Sequence, residues 1–146
     1  HISWHWPGRF QVLTGAPTVV LDGAHNPAAM KVLKDSMLNF AGNRPVHIVF
    51  SALGTKDLST MLETLTPMAA SIRLTPSSVS RSLSASELAD LGTGLHVCEG
   101  PKSALREARE LASGDDGIVL VTGSLFLVAD ALEELTGALR DPAVAS

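Results

Sequence analysis

The sequence predicts an α/β domain in three layers, with a mostly parallel sheet of about six strands, one of them an antiparallel edge strand. Three observations carry this prediction. Short runs rich in Val, Ile and Leu recur at residues 18–21, 46–50, 71–74, 95–97 and 118–121, each closed by Gly, Pro, Ser or Thr. The stretches between them carry apolar residues at three- and four-residue spacing, the helical period. Strands that alternate with helices imply a parallel sheet covered on both faces, and 146 residues suffice for one domain with a real core.

Residues 10–13 precede the turn Thr14-Gly15-Ala16-Pro17 and read as the edge strand, antiparallel to the first core strand at 18–21. Asn26 is a favoured helix N-cap and Pro27 a favoured first helical residue, so a helix is expected over 27–40. Met30, Leu33, Met37 and Leu38 should lie on its inner side. The second core strand, 46–50, leads through Ser51-Ala52-Leu53-Gly54-Thr55-Lys56 to Asp57, the expected cap of a helix over 58–65, with Leu58, Met61, Leu62 and Leu65 facing inward. The third strand at 71–74, a helix over 84–91, the fourth strand at 95–97 and a helix over 101–112 follow. After the fifth strand, Gly123 and Ser124 open a helix over 125–139 carrying Leu132, Leu135 and Leu139. One domain is thus expected over 1–140, with a disordered tail at 141–146.

The net charge of −4 is spread along the chain, and four Phe and two Trp are too few for a base-stacking platform, so no nucleic acid is expected as a partner. The single Cys98 excludes an internal disulfide framework and a zinc site built from cysteines, and it suits a reducing cytoplasm. No apolar run approaches bilayer length, so no membrane is expected either. The N-terminal stretch HISWHWPGRF lacks the basic-then-apolar pattern of a signal peptide and has no initiating Met, which points to a piece of something larger or a processed chain.

Ligands of open α/β sheets sit outside the C-terminal ends of the strands. That directs attention to residues 22–26, 51–57, 75–80, 99–100 and 122–124, where most of the unusual chemistry lies. Asp22 can accept two hydroxyl hydrogen bonds, as acidic residues do on riboses, or simply form a turn. His25 is a ligand group or an ordinary histidine. Arg9 offers a planar fork of donors to phosphate, or is merely solvated. Lys56 is a cation for carboxylate or phosphate, or a surface charge. Ser124, at a helix N-terminus, suits an anion or serves as a plain cap. No G-x-x-x-x-G-K-[ST] phosphate loop, no G-x-G-x-x-G and no G-x-S-x-G elbow occurs.

Taken together, WPGRFQVL (6–13), VVLDGAHNPAAM (19–30) and VTGSLFLVAD (121–130) resemble the C-terminal domain of the folylpolyglutamate synthase/dihydrofolate synthase family, within the Mur ligase superfamily. The resemblance runs from Trp6 to Leu139. It implies a Rossmann-like domain that closes over an N-terminal domain bearing the phosphate loop and Mg²⁺ sites, so no metal ligand is assigned to this chain. It further implies an enzyme in which ATP phosphorylates a carboxylate of folate or dihydropteroate and the amine of L-glutamate attacks the acyl phosphate. Matched motif by motif, Arg9 would meet the nucleotide phosphates, Asp22 the ribose, with Asn26 in the same nucleotide loop. His25 and Ser124 would hold the glutamate, and His25 and Lys56 would serve catalysis. Thr55 stands where the family commonly has an acidic residue, which weakens the match at Lys56. The family pattern implies a cytoplasmic monomer, and without the N-terminal domain the chain alone should be inactive. Gly23 and the PGRF spelling speak against the alternative, a peptidoglycan Mur ligase domain. A solitary Asp22, with Thr75-Pro76 after the third strand, speaks against a non-enzymatic flavodoxin-like or receiver module.

Overall fold

A computed structural model describes residues 9–52, 57–76 and 95–137, together with Ser86. Its centre is a six-stranded sheet of β1 (Gln11–Leu13), β2 (Thr18–Asp22), β3 (Val46–Phe50), β4 (Ala69–Leu74), β5 (His96–Val97) and β6 (Ile118–Thr122). The spatial order is β1-β2-β6-β3-β4-β5. β1 pairs antiparallel with β2, and every other pairing is parallel. The helices are α1 (Pro27–Ala41), α2 (Leu58–Leu65), α3 (Pro101–Asp115) and α4 (Leu125–Thr136), with a 3₁₀ turn at Thr66–Met68.

The central strands β3 and β6 are buried at all five positions, which only a sheet covered on both faces allows. Alternation along the strands then divides the core in two. Val20, Ile48, Phe50 and Leu120 meet Met30, Leu33 and Met37 of α1 and Leu58, Met61 and Leu65 of α2. Val19, Leu21, Val49, Val119 and Val121 meet Ala104, Leu105, Ala108 and Ala112 of α3 and Leu127, Val128 and Ala131 of α4. The chain leaves β2 through α1, passes over β6 to reach β3, and returns to fill the gap only after α3. From β6 it departs through α4 on the other face. Helices leaving neighbouring strands on opposite faces open a crevice at the strands' C-terminal ends, here between β2 and β6.

The expected architecture holds, and the differences are local. β1 begins at Gln11 because Phe10 has a left-handed backbone (φ 42°) and cannot extend the strand. β4 begins two residues earlier than expected, at Ala69, directly off the 3₁₀ turn. α3 runs on to Asp115, since Ser113 and Gly114 do not interrupt its hydrogen bonding. Leu38 is 48% exposed, because the position after Met37 is turned by about 100° from the core-facing stripe. α4 stops at Thr136, where Gly137 takes the left-handed cap (φ 67°). The expected helix over 84–91 (Ser86 apart), Leu139 and the tail lie outside the described residues.

At the opposite, N-terminal edge of the sheet His47 is held between two partners that the sequence did not signal. The ring is 4% exposed, with Nδ1 2.7 Å from Ser71 Oγ and Nε2 2.7 Å from Asp115 Oδ2. This Ser–His–Asp trio ties β3, β4 and the end of α3 together. It also offsets the unfavourable placement of a carboxylate at a helix C-terminus.

Candidate functional site

Asp22 is the last residue of β2, and its carboxylate turns back onto the chain on both sides. Oδ2 accepts from the backbone N–H of Phe10 at 2.9 Å and Oδ1 from that of Ala24 at 2.8 Å. The first bond clasps the entry to the edge hairpin and stabilises the left-handed Phe10. The Phe10 ring packs edge-on against Phe40 at the end of α1, with centroids 5.6 Å apart. Arg9, exposed, is thereby presented beside Asp22. Burial pushes the Asp22 carboxyl above its usual range, against the pull of the two N–H donors and Arg9. Each oxygen accepts one backbone bond and keeps a further lone pair for a ligand hydroxyl.

Next along the loop, His25 is exposed, with Nδ1 2.9 Å from the Gly23 carbonyl. A carbonyl only accepts, so Nδ1 carries the proton and Nε2 is the other nitrogen, a hydrogen-bond acceptor in the neutral ring. Asn26 is extended (φ −145°, ψ 163°) and its side-chain oxygen caps α1 by accepting from Ala29 N at 2.9 Å, with Pro27 opening the helix. Asn26 therefore performs the structural part of its expected role.

The tip of β6 is drawn against this loop. Gly123 has φ 105°, its N–H donates to the Ala24 carbonyl at 3.1 Å, and a side chain there would overlap the Ser51 carbonyl and the Phe50 ring. Three strand tips thus converge on one glycine, which no other residue could replace. Ser124 follows as the N-cap of α4: its Oγ accepts from Phe126 N at 3.1 Å, and the residue is 2% exposed. The hydroxyl keeps its own proton to donate. Leu125 and Phe126, just beyond, are exposed.

Asp22, His25 and Asn26 share one loop. Arg9 joins it through the Phe10 clasp, and Ser124 through the bond from Gly123 to Ala24. Lys56 lies outside the described residues. Asp57 occupies the cap position of α2, but its left-handed backbone (φ 60°) differs from the extended form of a capping residue and its side chain makes no cap bond. Sequence reasoning gave no role to Ser51 and Thr122, whose hydroxyls are buried beneath the crevice with no protein partner. Their position at the ends of β3 and β6 was the one available signal. Among the described residues the crevice gathers no group of three metal-ligating side chains.

A family model described as "Mur ligase, glutamate ligase domain" matches residues 8–125. A Haloferax volcanii protein named "Probable bifunctional folylpolyglutamate synthase/dihydropteroate synthase" is 37% identical over 140 residues, covering 92% of this chain and 16% of its own length. The dihydrofolate synthase/folylpolyglutamate synthase of Bacillus subtilis is 32% identical over 132 residues, covering 89% of this chain and 30% of its own. Among solved structures, a Mycobacterium tuberculosis folylpolyglutamate synthase complexed with ADP and AMPPCP superposes with a TM-score of 0.81 at 31% identity, covering 94% of this chain and 33% of that one. A bifunctional folylpolyglutamate synthase/dihydrofolate synthase with Mn, AMPPNP and L-glutamate bound gives 0.79 at 30% identity, covering 90% and 32%. The chain therefore spans between about a sixth and a third of the proteins it matches. With its six-stranded sheet, its strand-tip loop and the family match over most of its length, the chain belongs to the glutamate ligase domain family of the Mur ligases.

Proposed function

We propose that this chain is the C-terminal wall of the active site of an ATP-dependent ligase that adds L-glutamate to folates, to dihydropteroate, or to both. The observation that carries the proposal is the loop after β2, where a half-buried carboxylate with spare lone pairs and an exposed imidazole stand side by side, bonded to the start of α4. The relatives' names and the neighbours' bound nucleotide and glutamate support the same reading.

ATP supplies the phosphoryl group that turns the acceptor's carboxylate into an acyl phosphate, releasing ADP. The glutamate amine then attacks that carbon, phosphate leaves, and the amine gives up a proton. In this scheme Arg9 meets the nucleotide phosphates, Asp22 accepts from the ribose hydroxyls, and Asn26 fixes the loop between them. His25, through Nε2, holds the amine and receives its proton, and Ser124 donates to a glutamate carboxylate at the helix N-terminus. Lys56 is assigned from its sequence position alone, as a cation beside the acyl phosphate. The metal of the reaction is proposed to be Mg²⁺, held, as the resemblance implies, mainly by an N-terminal domain of the same polypeptide. The protein is proposed to act as a cytoplasmic monomer, with no nucleic-acid partner.

The test is a product assay on the intact protein with ATP, L-glutamate and either dihydropteroate or tetrahydrofolate. ADP, phosphate and a glutamylated pterin should form in equal amounts. Turnover only with a nucleotide-linked muramyl acceptor would assign the domain to a peptidoglycan ligase instead.

A further inference from the structure

A second cluster of reactive side chains lies at the far edge of the sheet. β5 is its outer strand, separated from β6 by β3 and β4, so roughly 14 Å of sheet stands between this cluster and the tip of β6. Val97 of β5 packs into the core beneath α1 and α2, and alternation turns His96 and Cys98 to the opposite face, under α3. There Glu107 reaches down from α3. The imidazole, thiol and carboxylate each place a ligand atom within 4.8 Å of the other two.

We propose that His96, Cys98 and Glu107 form a binding site for a single zinc-type divalent ion. One nitrogen, one sulfur and one carboxylate oxygen are donors that Zn²⁺ or Co²⁺ accepts in tetrahedral geometry, with the fourth position open to water. His96 is exposed, so the cluster opens to solvent. Two of the three ligands are already positioned. The Cys98 backbone is tied to β4 by its N–H bond to the Leu74 carbonyl at 2.8 Å. Glu107 Oε1 lies 3.2 Å from both His96 Nε2 and Arg73 Nε.

Arg73 is the competing cation, but its hold is incomplete. Its Nε makes no aligned hydrogen bond despite the short distance, so the contact is one of charge. Binding would release the Cys98 thiol proton to solvent as the sulfur–metal bond forms. Two anionic ligands would then neutralise the dication, and the ion would pin a two-residue edge strand to α3. A count of cysteines gives no hint of such a mixed site; the signal is a histidine and a cysteine two apart on a strand.

The probe is Co²⁺ titrated into the chelator-treated chain, read by absorption, with Zn²⁺ as competitor. One equivalent should bind with a thiolate-to-cobalt charge-transfer band in the near ultraviolet, one proton released, and Zn²⁺ but not excess Mg²⁺ should displace it. C98S should abolish the band, and H96A, at an exposed position where folding is not at issue, should weaken binding by about 10–100-fold or more. Absence of the band in the unaltered chain, or an unchanged affinity in H96A, would overturn the proposal.

Discussion

Asp22 holds the loop in place and, in the proposed scheme, also meets the nucleotide. Its two oxygens hold Phe10 and Ala24, so D22A should disturb both the hairpin entry and the loop, costing about 1–2 kcal/mol in urea unfolding at neutral pH. In the proposed intact ligase the same change should raise the KM for ATP most, through loss of the proposed charge-assisted ribose contact, roughly 1.5–3 kcal/mol. The carboxyl's folded pKa lies above its ordinary 3.8, so the native state binds the proton more tightly than the unfolded chain does. The stability Asp22 contributes is therefore greatest below 3.8 and declines as pH rises through the folded value. Unfolding of the wild type and D22N at pH 4 and pH 7 should show the wild type's relative advantage shrinking at pH 7; a growing advantage would contradict the assigned burial. Gly123 makes the sharper structural case. With φ 105° and the Ser51 carbonyl where a Cβ would stand, G123A should cost about 3 kcal/mol or more and separate the tips of β2 and β6.

The secondary-structure elements were readable where their causes are local. Asn26-Pro27 announces α1, and the all-apolar runs at 46–50 and 118–121 announce strands buried on both faces, because capping and burial act within a few residues. Features that depend on distant partners were not readable. Nothing near Phe10 shows that its N–H bonds a carboxylate twelve residues on, and nothing near His47 shows Asp115, 68 residues away. Asp57 misled for a related reason: the residue type suits a cap, but the backbone that enters α2 is left-handed. The site was partly legible for the same reasons, since Asp22, His25 and Ser124 stand at strand tips in sequence, whereas the bond joining Gly123 to Ala24 appears only in the fold. The His47 tie also separates stability from catalysis. H47A removes both of its bonds and the packing of a buried ring, so it should cost about 1–3 kcal/mol. At temperatures where the variant stays folded, the KM values for ATP and glutamate should not change, because the tie lies at the edge of the sheet opposite the crevice.

Across the whole molecule, the fold brings the groups proposed to face nucleotide and glutamate to one crevice at the strand tips. The chain alone should neither hydrolyse ATP nor bind it with micromolar affinity in calorimetry, since only Arg9, with Lys56, is proposed to meet the phosphates. In the intact protein the two halves of the strand-tip loop should have separable effects. His25 touches no part of the ATP site in this scheme, and its Nε2 is proposed to hold the amine, where a small displacement from the acyl phosphate costs much of the rate. The decisive measurement is steady-state kinetics of the intact H25A enzyme with ATP and L-glutamate varied separately. The glutamate KM should rise and kcat should fall, while the ATP KM stays close to that of the wild type. An equal loss on both substrates would mean that the loop acts only as a turn between β2 and α1.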